Sequence, residues 1–216
     1  MKTIISILLI PFVISYFASS VQVFTHLPYY WDKIDFFVFG ILLYSLIYMI
    51  FFRKSIAPFW FIFSHELTHL LFAILMFRRP QTFIVESNMG GFIGFRPGGN
   101  FLITLAPYFF PTFTFILLLL KPAVNRWYYE YYLFILGFTY AFHAWMFLKH
   151  SRPWQQDFHD AGIFFSFVFV LLMNIVMTTI IFIVLMENWS MAWLYLKEGV
   201  TNLYLIIRTD PVPLPR

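Results

Sequence analysis

The chain has 216 residues, of which 61% are hydrophobic, 24% aromatic and only 11% charged. A soluble domain carries about 25% charged residues, so an ordinary soluble domain is excluded in favour of an all-α polytopic membrane protein. The absence of cysteine removes any disulfide framework or thiolate metal site, and a formal charge of +4 spread over many loops suits anionic lipid headgroups rather than nucleic acid.

A membrane-crossing helix takes about 20 apolar residues. In chain order, six segments qualify: residues 3–23, 36–52, 58–77, 101–120, 127–148 and 161–186. The first shares with secretory signal peptides a leading Lys2, an apolar run and the small residues of "FASS". That run is long for a signal peptide and the small-residue site is poor, so a retained span is expected. The second segment follows the polar knot "WDKID". Between the third and fourth segments the helical pattern breaks. "TFIVE" (82–86) and "FIGFR" (92–96) are strand-like, "SNMGG" between them supplies turn residues and "PGGN" stops the second strand. A small β-hairpin with a five-residue connection is therefore expected between spans three and four.

Aromatic clusters mark membrane interfaces at Tyr29, Tyr30 and Trp31, at Trp127, Tyr128 and Tyr129, and at Trp189 with Trp193. Residues 189–207 mix aromatics with Lys197, Glu198 and Asn202 and read as an interfacial amphipathic helix or a short extra span. "DPVPLPR" then forms a loose extended segment. No internal repeat interrupts residues 1–216, which read as a single integral-membrane domain of a plasma or inner cell membrane. Basic residues are shared almost evenly between the two sides of six spans, so the positive-inside rule leaves the orientation open. The oligomeric state is equally open.

The third segment, "PFWFIFSHELTHLLFAILMFRRP", is almost purely apolar, yet it carries His65, Glu66 and His69 near its middle. A charge at the centre of a span costs about 2.5–3.5 kcal/mol on insertion scales. Ionisable groups so placed need compensation, and a bound metal ion supplies it. Residues four apart on a helix face the same way, with Cβ atoms roughly 5–6 Å apart, so His65 and His69 can offer two ring nitrogens to one ion. Zinc accepts such nitrogens at about 2.0–2.1 Å. Glu66 lies about 100° around the helix from His65. It is too far round to be the natural third ligand, but near enough to hold a water as general base. This is the division of labour of an H-E-x-x-H zinc site.

A catalytic zinc site usually has three protein ligands and one open position. Glu86, Glu130, Glu187 and Glu198 lie outside span centres. His143 lies inside the fifth span, and Asp157, His159 and Asp160 stand in "QQDFHDAG" at the entrance to the sixth. A polytopic chain with HExxH inside a span, a Gly-rich hairpin after it and an Asp before a Gly at a later span resembles the site-2 protease family of intramembrane zinc metalloproteases. The resemblance covers about residues 58–186, which would form the metalloprotease core, with an interfacial tail over about 187–216. It implies a third ligand that is an aspartate at the N-terminal end of a later core helix, usually followed by glycine. Here the setting is "DFHDAG". Asp157 is the first choice, with Gln155 and Gln156 as its outer partners. Asp160, which also suits the cap of span six, and His143 remain alternatives. Asn100 is a candidate for holding a substrate carbonyl or an oxyanion, or for capping span four.

The resemblance thus implies a Zn²⁺-dependent endopeptidase with Glu66 as general base. Its substrate would be a membrane protein or membrane-anchored peptide, unwound in or near its transmembrane segment and held along an edge of the hairpin. Three other readings compete: a membrane zinc peptidase of another family, using a late glutamate as third ligand; a non-proteolytic metal-binding membrane protein; and a transporter with a metal or proton relay, which no pair of Gly/Pro-broken halves supports.

Overall fold

The computed structural model describes residues 2–52, 59–86, 90–96 and 100–208. Pro58, the turn residues Ser87 to Met89, Pro97 to Gly99 and the terminal "DPVPLPR" lie outside them. In chain order the elements are α1 (Lys2–Thr25), α2 (Trp31–Ile47), α3 (Phe59–Leu75), β1 (Arg79–Glu86), β2 (Gly90–Arg96), α4 (Phe101–Leu105), α5 (Thr112–Leu119), α6 (Tyr129–His150), α7 (Gln156–Ala161), α8 (Ile163–Met186) and α9 (Trp189–Arg208). The fold is helical with one small antiparallel hairpin.

Among the described residues, four helical stretches are long and apolar enough to cross a membrane: Lys2–Thr25, Leu27–Phe52, Arg126–His150 and Ile163–Met186. These match four of the six expected segments. Among the described residues the other two are not continuous helices of that length. α3 has 17 described residues, about 26 Å at 1.5 Å per residue, at the lower end of what crosses a hydrocarbon core of about 30 Å. The fourth segment is broken rather than straight. α4 runs into a 3₁₀ turn, Ala106–Tyr108, and α5 leaves at 87° to that direction. The cause is Pro107 and Pro111, which lack backbone N–H groups and crowd the preceding turn. With the bent pair counted as one span, the stretches able to cross number five.

α3 ends in a Schellman motif. The Arg78 N–H donates to the Ala73 carbonyl at 2.8 Å and the Phe77 N–H to the Ile74 carbonyl at 3.0 Å. Phe77 takes the left-handed position, with φ 56°. The chain leaves this turn directly into β1, so the strand begins at Arg79 rather than at Thr82. β1 and β2 pair antiparallel, with Phe83 opposite Ile93 and Glu86 opposite Gly90, and the register shifts between Pro80 and Thr82. Because β2 starts at Gly90, the connection spans three residues rather than five.

Cα packing groups the chain into two compact units, Asp35–Ile163 and Met1–Ile34 with Phe164–Arg216. In the Asp35–Ile163 unit α2 and α6 cross with their backbones touching. A Cβ on Gly40 would overlap the Phe134 carbonyl, and one on Gly137 would overlap the Phe37 carbonyl, so both positions need glycine for close approach. Beside this crossing, Tyr48 stacks on Trp145 at 4.5 Å and on Phe61 at 5.9 Å. Phe61 also meets Phe142 edge-on at 5.0 Å. These rings fix the N-terminal half of α3, one turn before His65.

In the other unit, α9 is amphipathic. It buries Ala192, Tyr195 and Leu203 and exposes Lys197, Glu198 and Thr201. It packs along α1 through the Tyr16 hydroxyl, which donates to the Leu196 carbonyl at 2.8 Å.

Candidate metal centre

α3 sets His65 and His69 one turn apart, and their Nε2 atoms lie 3.1 Å from each other. The short helix α7 brings Asp157 to the same point. Its Oδ2 is 3.3 Å from His65 Nε2 and 3.7 Å from His69 Nε2. Among the described residues these three form a group able to hold a metal ion, with all ligand atoms within 4.8 Å of one another. Bonds of about 2.0–2.1 Å in a tetrahedral site place neighbouring ligand atoms about 3.3 Å apart, and the observed separations bracket that value.

The donor chemistry points the same way. His69 Nδ1 faces the Ile103 carbonyl at 2.8 Å. A carbonyl has no proton to give, so Nδ1 carries the hydrogen and a neutral His69 presents a bare lone pair at Nε2. That lone pair and the Asp157 carboxylate oxygen face each other at 3.7 Å. Two acceptors so placed need a cation between them or a proton shared by the imidazoles, and three converging donors suit a divalent ion. Burial pushes the Asp157 carboxyl up, but the neighbouring imidazoles of His65 and His69 outweigh burial and hold it well below the usual carboxylate range.

Glu66 is buried, 7% exposed, and lies outside the ligand group. β2 lies directly on it. A Cβ added to Gly91 would overlap the Glu66 side chain and come within 2.6 Å of its Oε1. Glycine at this position therefore lets strand backbone reach the carboxylate.

A bent hook, α4 with its following 3₁₀ turn, braces the centre. Asn100 caps α4, its Oδ1 accepting from the Ile103 N–H at 3.0 Å, and the Ile103 carbonyl holds His69. Asn100 thus stands behind a ligand as a cap. Tyr108, at the end of the hook, donates its hydroxyl to Asp157 Oδ2 at 2.8 Å. Its ring meets that of His65 edge-on at 5.2 Å. Below, Thr68 hydrogen-bonds the Ser64 carbonyl at 2.7 Å and the Thr112 hydroxyl at 2.5 Å, tying α3 to α5.

Of the three candidates for third ligand, the fold brings Asp157 to the histidines. Asp160 points elsewhere and accepts from Gln156 Nε2 at 2.7 Å. Gln156 is therefore partner to Asp160, and the expected role of the glutamines behind Asp157 gives way to Tyr108. His143 is buried in α6 away from the ligand group, and its Nε2 lacks a hydrogen-bond partner. Sequence reasoning missed Tyr108 and Ile103. A backbone carbonyl leaves no trace in sequence. The tyrosine is one of thirteen, set apart only by lying between Pro107 and Pro111. No protein-family model, curated protein or solved structure matches the chain.

Proposed function

We propose that the chain is a zinc-dependent endopeptidase of the site-2 protease kind, cleaving a membrane protein or membrane-anchored peptide in or near its transmembrane segment. The observation that carries this reading is the convergence of His65, His69 and Asp157, with Glu66 buried beside them and outside the ligand set. A structural metal site has no need of a carboxylate base, whereas hydrolysis does.

His65, His69 and Asp157 would hold the ion. Zinc, when bound, supplies Lewis-acid chemistry, acidifying water and polarising a carbonyl. Glu66 accepts the proton that water loses as its oxygen attacks the scissile carbonyl carbon. It then delivers that proton to the departing amine nitrogen as the C–N bond breaks. A peptide inside a membrane helix is shielded by its own hydrogen bonds and must unwind to react. The β1–β2 hairpin offers strand edges for an unwound chain, and Gly91 lets β2 carry it up to Glu66.

The test is metal analysis of purified protein together with a Glu66→Gln variant acting on a membrane-anchored substrate. One zinc per chain in both proteins, with cleavage confined to the wild type, is the expected result. Cleavage retained by the variant, or wild-type protein that binds no metal, overturns the reading.

A further inference from the structure

We propose that the Tyr108 hydroxyl is the positioning group for Asp157, holding its carboxylate toward the two histidines. The inference rests on the metal-centre reading above and extends it from the ligands to the group that aims one of them.

Three observations carry it. Tyr108 is 1% exposed, and a buried phenol needs an acceptor for its O–H. The acceptor it has is Asp157 Oδ2, the same oxygen that faces both His65 and His69. Its ring is clamped, edge-on to His65 at 5.2 Å and to Phe158 at 4.7 Å, so the hydroxyl is fixed before any ligand arrives. Asp157 has less support of its own. It sits in the first turn of α7, a helix of six residues, and its side chain is 24% exposed. The carboxylate is therefore partly open, and without a partner it can swing toward water. One hydrogen bond from a clamped ring limits that rotation. Phenylalanine would fill the same space, so packing alone does not account for the oxygen.

Tyr108 ends the arm of the fourth segment that precedes the bend. Its hydroxyl reaches one ligand, while the Ile103 carbonyl on the same arm holds another.

The experiment is Co²⁺ and Zn²⁺ titration of the full-length wild-type and Tyr108→Phe proteins in detergent or lipid nanodiscs. Co²⁺ reports its coordination through its visible absorption. Loss of an outer-shell partner typically weakens metal affinity 10–100-fold. Tyr108→Phe should show a loss of that size and an altered Co²⁺ spectrum, while the metal-free proteins melt alike. A lower melting temperature with the wild-type spectrum would make the hydroxyl's bond a structural tie only, and overturns the proposal. Wild-type affinity and spectrum in Tyr108→Phe overturn the proposal while the metal centre stands. A wild-type protein that binds neither ion brings down both.

A second measurement covers the case in which the variant does not fold. With 3-fluorotyrosine installed at position 108, the ¹⁹F resonance should shift when Zn²⁺ is added. No shift in protein that has bound the ion overturns the proposal.

Discussion

Two apolar helices, α1 and α3, both bury polar side chains, and they use them differently. On α1, Ser15 donates to the Gly199 carbonyl, and Ser19 accepts from Asn202 Nδ2 at 3.0 Å. Ser20 meets the Tyr195 hydroxyl and the Thr179 hydroxyl, each at 2.9 Å. Donors face acceptors throughout, and the network closes on protein. On α3, Thr68 and the Nδ1 side of His69 are satisfied in the same way. The Nε2 atoms of His65 and His69 are arranged otherwise, converging with a carboxylate oxygen. Polar groups in an apolar helix thus divide by geometry. Those that pair off hold helices together, at about 0.6–1.7 kcal/mol per bond in membranes. Those whose lone pairs point at one spot form a group that could hold a metal ion.

The contrast is broken most severely by deleting a ligand. His69→Ala removes one of three donors, and zinc should fall from one per chain to a trace by elemental analysis, with cleavage lost alongside. Chelation of the wild type should mimic this, and re-addition of zinc should restore activity. Retention of a full zinc complement by His69→Ala would place the ion elsewhere. Glu66→Gln comes next. It leaves the ligands intact, so zinc content should hold while cleavage drops by about 10²–10⁴-fold, the usual worth of a general base.

Gly91→Val tests the approach of β2 to Glu66. Any Cβ at 91 overlaps the Glu66 side chain, so either the strand or the carboxylate must move. A shift of about 1 Å in a catalytic group can cost up to 10²-fold. Cleavage should fall by up to that amount with zinc content unchanged, and an active Gly91→Val would remove the hairpin from the site.

These positions differ in how far the sequence discloses them. The H-E-x-x-H triad is local. Helix periodicity alone puts His65 and His69 on one face and Glu66 beside it. The hairpin is local too, since turn residues separate two β-prone runs. Its edges shifted because a Schellman turn at Phe77, carried by a non-glycine residue, feeds β1 without a loop. Asp157 is not local. It meets α3 through tertiary packing, so spacing could only leave it beside Asp160 and His143.

The broken fourth segment was hidden by hydropathy, which averages over prolines. Proline alone does not decide the matter, because Pro11 lies inside the continuous α1. Pro107 and Pro111, one turn apart, remove two N–H groups from consecutive turns. A single proline can be absorbed by a long helix and such a pair was not. Tyr108 and the Ile103 carbonyl, on the arm before the break, meet their partners only through tertiary packing.

The smallest expected effect lies on α1. Ser20→Ala deletes a hydroxyl that serves both Tyr195 and Thr179. Thr179 keeps its bond to the Ile175 carbonyl at 2.8 Å, and the Tyr195 hydroxyl keeps Thr179 beside it, so neither group is stranded. The loss should be about 1 kcal/mol of stability, read as a modest drop in melting temperature, with zinc content and cleavage unchanged. Tyr195→Phe removes the other half of the pair. In the double variant the two losses should sum to less than their separate values, because they share one bond. Strict additivity would show that the two hydroxyls do not interact. A fall in zinc content from either substitution would mean that α1 carries more than structure, and would erase the distinction drawn between the two helices.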